Sequence, residues 1–238
     1  MGKIRIKVRG NIPMSTSYES VLERLKEERL RKQWTQYEMG RILRMNQSHY
    51  SKVEHGRRRF TYYETQYLCE ADIDSYYIFT GKYCKAKYND FWEQCSYKEL
   101  ICFLDLVYTT IEYFNMLKVN ERWKSINEEI KYAKCVIIKE KKDGNVFYKL
   151  RQTLEYRQQR MAEIIGVDVK KLRELENGKI LPDSEIIWKM YHLFNIPPAL
   201  MVKSKKELIN TINYFFDIMD TENEKIIFEF LRRCHEIK

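Results

Sequence analysis

The chain has 238 residues, enough for one large domain or two small ones with a real core. Its 43 Lys+Arg against 34 Asp+Glu leave a net charge of +9 and a pI near 9.1, which favours polyanionic partners and is silent on fold. Six cysteines without a C-x-x-C pair, no Gly-rich phosphate loop, no nucleophile–base pair and no apolar run long enough to span a bilayer argue against a zinc protein, a disulfide scaffold, an enzyme and a membrane protein.

Positive charge is uneven. The first 80 residues carry a net +5 and residues 204–238 a net −1. Eight Gly and four Pro with regular capping signals predict an all-α chain. Lys3, Arg5, Lys7 and Arg9 interrupt every early apolar run, so no signal peptide is expected and the protein should be cytoplasmic. The alternation in residues 3–9, KIRIKVR, reads as a basic arm or a plain tail within residues 1–15. Thr16 and Glu19 form a capping-box signal for a first helix with Val21, Leu22 and Leu25 inward. Thr35 and Glu38 form another, followed by Met39, Ile42 and Leu43 on one face. Asn46 suits the N-cap of a further helix with Tyr50 and Val53 inward, and Gly56 suits its end. A fourth helix is expected at about 62–70, and the segment 74–81 follows it. Residues 82–95 read as a Lys/Tyr-rich connector, partly buried in preference to a base-stacking surface.

Ser96 and Glu99 cap a long helix to about Leu117 that is apolar almost all round (Leu100, Ile101, Phe103, Leu104, Val107, Ile111, Phe114), hence buried in this fold or in a homodimer. A helix at about 120–141 carries Trp123, Ile126, Ile130, Ala133 and Ile137 on one stripe, stopped by Asp143-Gly144-Asn145. The six cysteines (Cys69, Cys84, Cys95, Cys102, Cys135, Cys234) lie mostly among apolar neighbours and read as buried reduced thiols. His49, His55, His192 and His235 are not spaced with them as metal ligands and read as surface histidines.

The stretch TQYEMGRILRMNQSHYSKVEHG at 35–56 resembles the DNA-binding helix-turn-helix of the lambda-repressor-like (XRE) family. The resemblance implies that Gln36 holds a phosphate at the start of the first helix, and that Gln47, Ser48, Ser51 and Lys52 face base edges in the major groove. Arg29 and Glu54 stand where that family keeps a buried ion pair, and Trp34 at its apolar position two before the glutamine. Arg57, Arg58 and Arg59 fall in the loop where the family touches the DNA backbone.

The chain then repeats. A shift of 122 residues lays 158–178 over 36–56 without a gap: Gln158 on Gln36, Met161 on Met39, Glu176 on Glu54, Gly178 on Gly56, with Tyr156 on Trp34 and Arg151 on Arg29. The second copy resembles the family pattern more closely, having Ala162 and the turn glycine Gly166 where the first has Gly40 and Arg44. Arg44 with φ > 0 costs ~1 kcal/mol unless the turn is rebuilt. By resemblance the second reading face is Val169, Lys170, Arg173 and Glu174, with Lys179 the one loop cation left. SYKELI at 96–101 recurs as SKKELI at 204–209, and Asn120-Glu121 as Asn223-Glu224.

The resulting organisation is a basic arm (1–15), a first helix-turn-helix domain (16–81), a connector and helical hairpin (82–145), a second helix-turn-helix domain (146–203) and a C-terminal hairpin (204–238). Two five-helix domains of this kind imply a sequence-specific, double-stranded-DNA-binding transcriptional regulator, a repressor, without cofactor or metal. The rival is a protein-interaction module of antitoxin or inhibitor type, using its apolar helices on a protein partner and only autoregulating through DNA. The long helices at 97–117 and 120–141 are expected to set the distance between the two reading heads.

Overall fold

The computed structural model describes residues 17–71, 73–117, 121–137 and 144–237. The basic arm lies outside them, as does Thr16. Among the described residues the fold is all-α, with no strand.

Helix α1 (Glu19–Arg31) starts after Tyr18 without a side-chain cap, and Val21, Leu22 and Leu25 face inward as expected. Helices α2 (Gln36–Ile42), α3 (Gln47–Glu54), α4 (Tyr62–Glu70) and α5 (Ser75–Thr80) follow. The caps of α2 and α3 are those read from sequence. Thr35 and Glu38 close a capping box, and the Asn46 side chain accepts from the His49 amide at 2.8 Å. Thr61 and Glu64 close another on α4. These five helices share a core of Val21, Leu25, Met39, Tyr50, Val53, Phe60, Leu68 and Ile78.

The connector is more structured than its composition suggested. It contains α6 (Asn89–Trp92), whose Trp92 is fully buried and donates from Nε1 to the Lys87 carbonyl at 2.8 Å. Helix α7 (Tyr97–Met116) opens on the expected Ser96–Glu99 box. It is not buried all round: Leu100, Phe103, Leu104, Val107, Tyr108 and Ile111 face the core, while Tyr113, Met116 and Leu117 are exposed. Helix α8 (Glu121–Cys135) ends well before Asp143. Its exit residues explain why. Val136 is drawn into the core of the following helices and Ile137 into that of α7 and α8.

Helices α9 (Val146–Thr153), α10 (Gln158–Ile165), α11 (Val169–Glu176) and α12 (Ser184–Phe194) form a second group, closed by a 3-10 turn at Pro198–Leu200. The first residues of α10, α11 and α12 each stand 122 after those of α2, α3 and α4. Helices α13 (Lys205–Ile218) and α14 (Thr221–Glu236) complete the chain. Ser204 caps α13 as Ser96 caps α7, matching the recurrence of SYKELI as SKKELI. The dipeptide match is looser, since α14 is capped by Asp220 and Asn223-Glu224 lie inside its first turn. Helices α7, α8, α13 and α14 enclose one core around Leu104, Tyr108, Trp123, Ile130, Ile212, Phe215 and Leu231.

The two helix groups touch each other directly. Helix α12 packs on α5, and Ile187 and Trp188 of α12 join the first group's core. In return Val202 joins the same core, and Lys203 meets α4 through the Tyr62 hydroxyl (3.1 Å) and the Gln66 amide (2.9 Å). Under the 122-residue offset α4 corresponds to α12 and α5 to the 3-10 turn, but the contact is one-sided: Ile187, Trp188 and Val202 enter the first group's core, and no described residue of the first group enters the second's. The expectation that the long helices separate the two groups is therefore corrected: they pack against one another because α12 and α5 expose complementary apolar faces.

The cysteines are all free, but only Cys69 and Cys95 are buried, while Cys102 and Cys135 are exposed. No metal-ligating cluster occurs among the described residues, and no helix there is long and apolar enough to cross a membrane.

Candidate nucleic-acid interface

A close turn joins α2 to α3. Arg44 takes the left-handed conformation (φ 54°) that Gly166 (φ 68°) takes in the α10–α11 turn. The strain at Arg44 is offset by its guanidinium lying 4.2 Å above the Tyr67 ring. Gly40 leaves no room for more. An added Cβ would stand 2.9 Å from the Met45 carbonyl oxygen, and the Met45 amide donates back to the Gly40 carbonyl at 2.8 Å. Such close approach lets the outer face of α3 project while Tyr50 and Val53 anchor its inner face.

Each turn is held by the same network. Arg29 donates from Nε (3.0 Å) and Nη2 (2.9 Å) to Glu54 Oε1, and from Nη1 to the Trp34 carbonyl (2.8 Å). Gln36 Nε2 donates to the other carboxylate oxygen, Glu54 Oε2, at 2.5 Å. In the second group Arg151 pairs with Glu176 (2.5 and 3.2 Å) and reaches the Tyr156 carbonyl (3.2 Å), while Gln158 donates to Glu176 Oε2 (2.8 Å). Both carboxylate side chains are only 3% exposed, so each charge is balanced inside the fold by one guanidinium and further hydrogen-bonded by one amide. The side-chain amides of Gln36 and Gln158 are thereby directed inward. What remains for a phosphate at the start of α2 or α10 is the backbone N–H set of that helix terminus.

The outer faces differ. On α3, Gln47, Ser48 and Lys52 are exposed and Ser51 is half-buried. On α11, Lys170 and Arg173 are exposed, Val169 and Glu174 half-buried. Lys52, Lys170, Arg173 and Lys179 make no ion pair with any described residue, so their charges stand open to a ligand. His49, set aside as a surface histidine, is exposed on α3 beside Ser48.

The three loop arginines separate. Arg57 is exposed and makes no side-chain hydrogen bond among the described residues. Arg58 is held by Glu64 (2.6 Å), the residue that completes the α4 capping box. Arg59 is turned away to the second group: its Nε donates to Glu185 Oε2 at 2.7 Å and its guanidinium lies 4.6 Å over the Tyr18 ring. Beside it, the fully buried Ser184 hydroxyl is 2.6 Å from the Tyr18 hydroxyl and accepts from the Phe60 amide (3.1 Å), and the Ser184 amide donates to the Phe60 carbonyl (3.1 Å). Burial in this contact pushes the Tyr18 hydroxyl well above the ordinary tyrosine pKa, so it stays protonated. Sequence reasoning missed Tyr18, Ser184 and Glu185. The one available signal was Ser184 standing next to Asp183, which already caps α12 and leaves the serine with nothing local to do.

Residues 147–201, running from α9 through the 3-10 turn, match the helix-turn-helix family model HTH_3. No curated protein and no solved structure matches the chain.

Proposed function

We propose that the protein is a sequence-specific double-stranded-DNA-binding transcriptional regulator, acting as a repressor in the cytoplasm, with two helix-turn-helix reading heads in one chain. The heads span about 16–81 and 146–203, joined by the segment 82–145 and followed by the hairpin 204–238. The observation that carries this reading is the repeated Arg–Glu–Gln network beneath α3 and α11, one copy of which lies inside the span matched by the helix-turn-helix family model. A network that locks the base of a short helix and leaves its outer face polar and unpaired suits a helix that enters a major groove.

Gln47, Ser48, Ser51 and Lys52 are assigned to base edges under the first head, and Val169, Lys170, Arg173 and Glu174 under the second. Arg57 and Lys179 are assigned to phosphates. Two different reading faces call for an asymmetric site, which repression occludes. Selection of bound duplexes from a random pool tests this directly: one enriched sequence composed of two unlike halves supports it, and no enrichment refutes it.

A second reading has one observation in its favour. Ile226 and Phe230 on α14 and Ile237 just after it, with Tyr113, Met116 and Leu117 at the end of α7, are large apolar side chains left exposed. On that reading these faces bind a protein target, as an antitoxin or inhibitor does, and the helix-turn-helix only autoregulates. Enrichment of DNA that is lost on addition of a co-purifying protein would favour it.

A further inference from the structure

The contact between the two helix groups does more than glue them. Thr61 and Asp183, the N-caps of α4 and α12, stand 122 residues apart and so occupy equivalent places in the two copies. Phe60 and Ser184 flank them on opposite sides: the Ser184 amide donates to the Phe60 carbonyl, and the Phe60 amide donates to the Ser184 hydroxyl. The loop that leaves α3 thus meets the residues that enter α12, with Arg59–Glu185 closing one end of the contact. From Glu54 to Phe60 the chain can span at most about 22 Å, and from Glu176 to Ser184 at most about 29 Å. The C-terminal ends of α3 and α11 are therefore held within about 55 Å of each other, a reach that includes grooves one turn (~34 Å) apart and falls short of two turns (~68 Å).

We propose that the seam of Arg59, Phe60, Ser184 and Glu185 sets the separation of α3 and α11 at one turn of duplex, and that Arg59 is a positioning residue and not a phosphate contact. This rests on the two-head reading above. The chemistry suits the task. The two Phe60–Ser184 hydrogen bonds give the contact a direction, Ser184 is fully buried in it, and the guanidinium is pinned by a carboxylate, an aromatic face and the Gly56 carbonyl (3.0 Å) at once. A contact so specified does not slide, and it makes the second head's reach depend on the first.

The experiment uses the full chain and the duplex selected from a random pool. The unmodified protein should select two unlike half-sites one turn apart, and a half-turn insertion between them should lower affinity roughly 100-fold, because only one head can then engage. Glu185→Arg opposes two guanidinium groups across the seam. It should keep both half-site sequences yet shrink the insertion penalty to a few-fold, and the exchanged pair Arg59→Glu with Glu185→Arg should restore it. Arg59→Met, which keeps the stem on Tyr18, is the second variant should the charge reversal fail to fold. It too should shrink the penalty, with the salt dependence of binding unchanged. An undiminished penalty in a folded variant overturns the seam's role. Equal weakening at every spacing with a flatter salt slope in Arg59→Met overturns it in favour of a phosphate contact. Selection of nothing, or of a lone half-site, by the unmodified protein would sink the two-head reading itself, and this inference with it.

Discussion

Glu207 should make the protein less stable as pH rises through neutrality, and Glu207→Gln should remove that dependence. The carboxylate is fully buried where α13 meets the first helix group, with the Ser75 hydroxyl donating to Oε2 and no partner on Oε1. It faces the Cys69 thiol of α4 and the Asp74 carboxylate before α5, while the Lys206 ammonium beside it is engaged by the Ala71 carbonyl. Burial is the largest cause of its displacement, pushing its pKa from 4.5 up to about 7 against the Ser75 hydrogen bond. The native state therefore binds a proton that the unfolded chain releases. Stability is full below the unfolded value and falls as pH climbs from about 4.5 to about 7, the opposite of a salt-bridged carboxylate. At about 1.36 kcal/mol per pH unit, the loss between about pH 5 and about pH 8 is about 2–3 kcal/mol. Urea unfolding of both proteins at the two pH values reads it. Relative to the parent, Glu207→Gln should gain those 2–3 kcal/mol at about pH 8, whatever constant cost its amide carries. A difference that is the same at both pH values would refute the reasoning.

Glu54→Ala and Glu176→Ala should each cost about 3–5 kcal/mol in denaturant unfolding, because each strands a buried guanidinium and an amide; a loss below about 1 kcal/mol would show the network is not structural. Gln47→Ala and Lys52→Ala should each cost about 1–3 kcal/mol on the selected duplex and much less on a scrambled one, as titrations on both will show. Arg57→Ala should weaken binding to all duplexes alike and flatten the salt slope by about one; Arg58→Ala, whose charge Glu64 already holds, should change the slope less. Gly40→Val should destabilise the first head by at least about 1 kcal/mol in thermal unfolding, since its Cβ meets backbone and not a movable side chain.

Much of the local structure was legible because it is written in local chemistry. Capping boxes at Thr35 and Ser96, the Asn46 cap, the helix at Tyr62–Glu70 and both Arg–Glu pairs depend on residues at fixed short spacings or on a repeat that lays one copy over the other. What was not legible depends on partners far away in sequence. Arginines 57, 58 and 59 are alike as a string, and only the fold distinguishes one that is open, one tied to Glu64 and one captured by Glu185, 126 residues on. Trp92 in an apparent connector is buried because a distant helix supplies Asn213 to its indole N–H. The early end of α8 likewise follows from Val136 entering a core made mostly by later residues.

The same logic explains how one unit used twice can diverge. Both copies keep the ion pair beneath α3 or α11, since losing either partner leaves a buried charge. The surfaces around it are under no such constraint. In the first copy the loop carries Arg59 and Phe60; the equivalent places in the second hold Leu181 and Pro182, and neither could reproduce the contacts made to Glu185 and Ser184. The hairpins diverge in the same way. Glu99 turns back to close the box on Ser96, whereas Glu207 at the matching place turns inward to Ser75 and exchanges a solvated cap for a buried acid. The departures at Arg59, Phe60 and Glu207 thus lie where the copies touch one another, which is where identical surfaces would have favoured contact between chains over contact within one. Two copies that could still pair symmetrically would compete with dimers; a seam built from unlike residues commits the chain to pairing with itself.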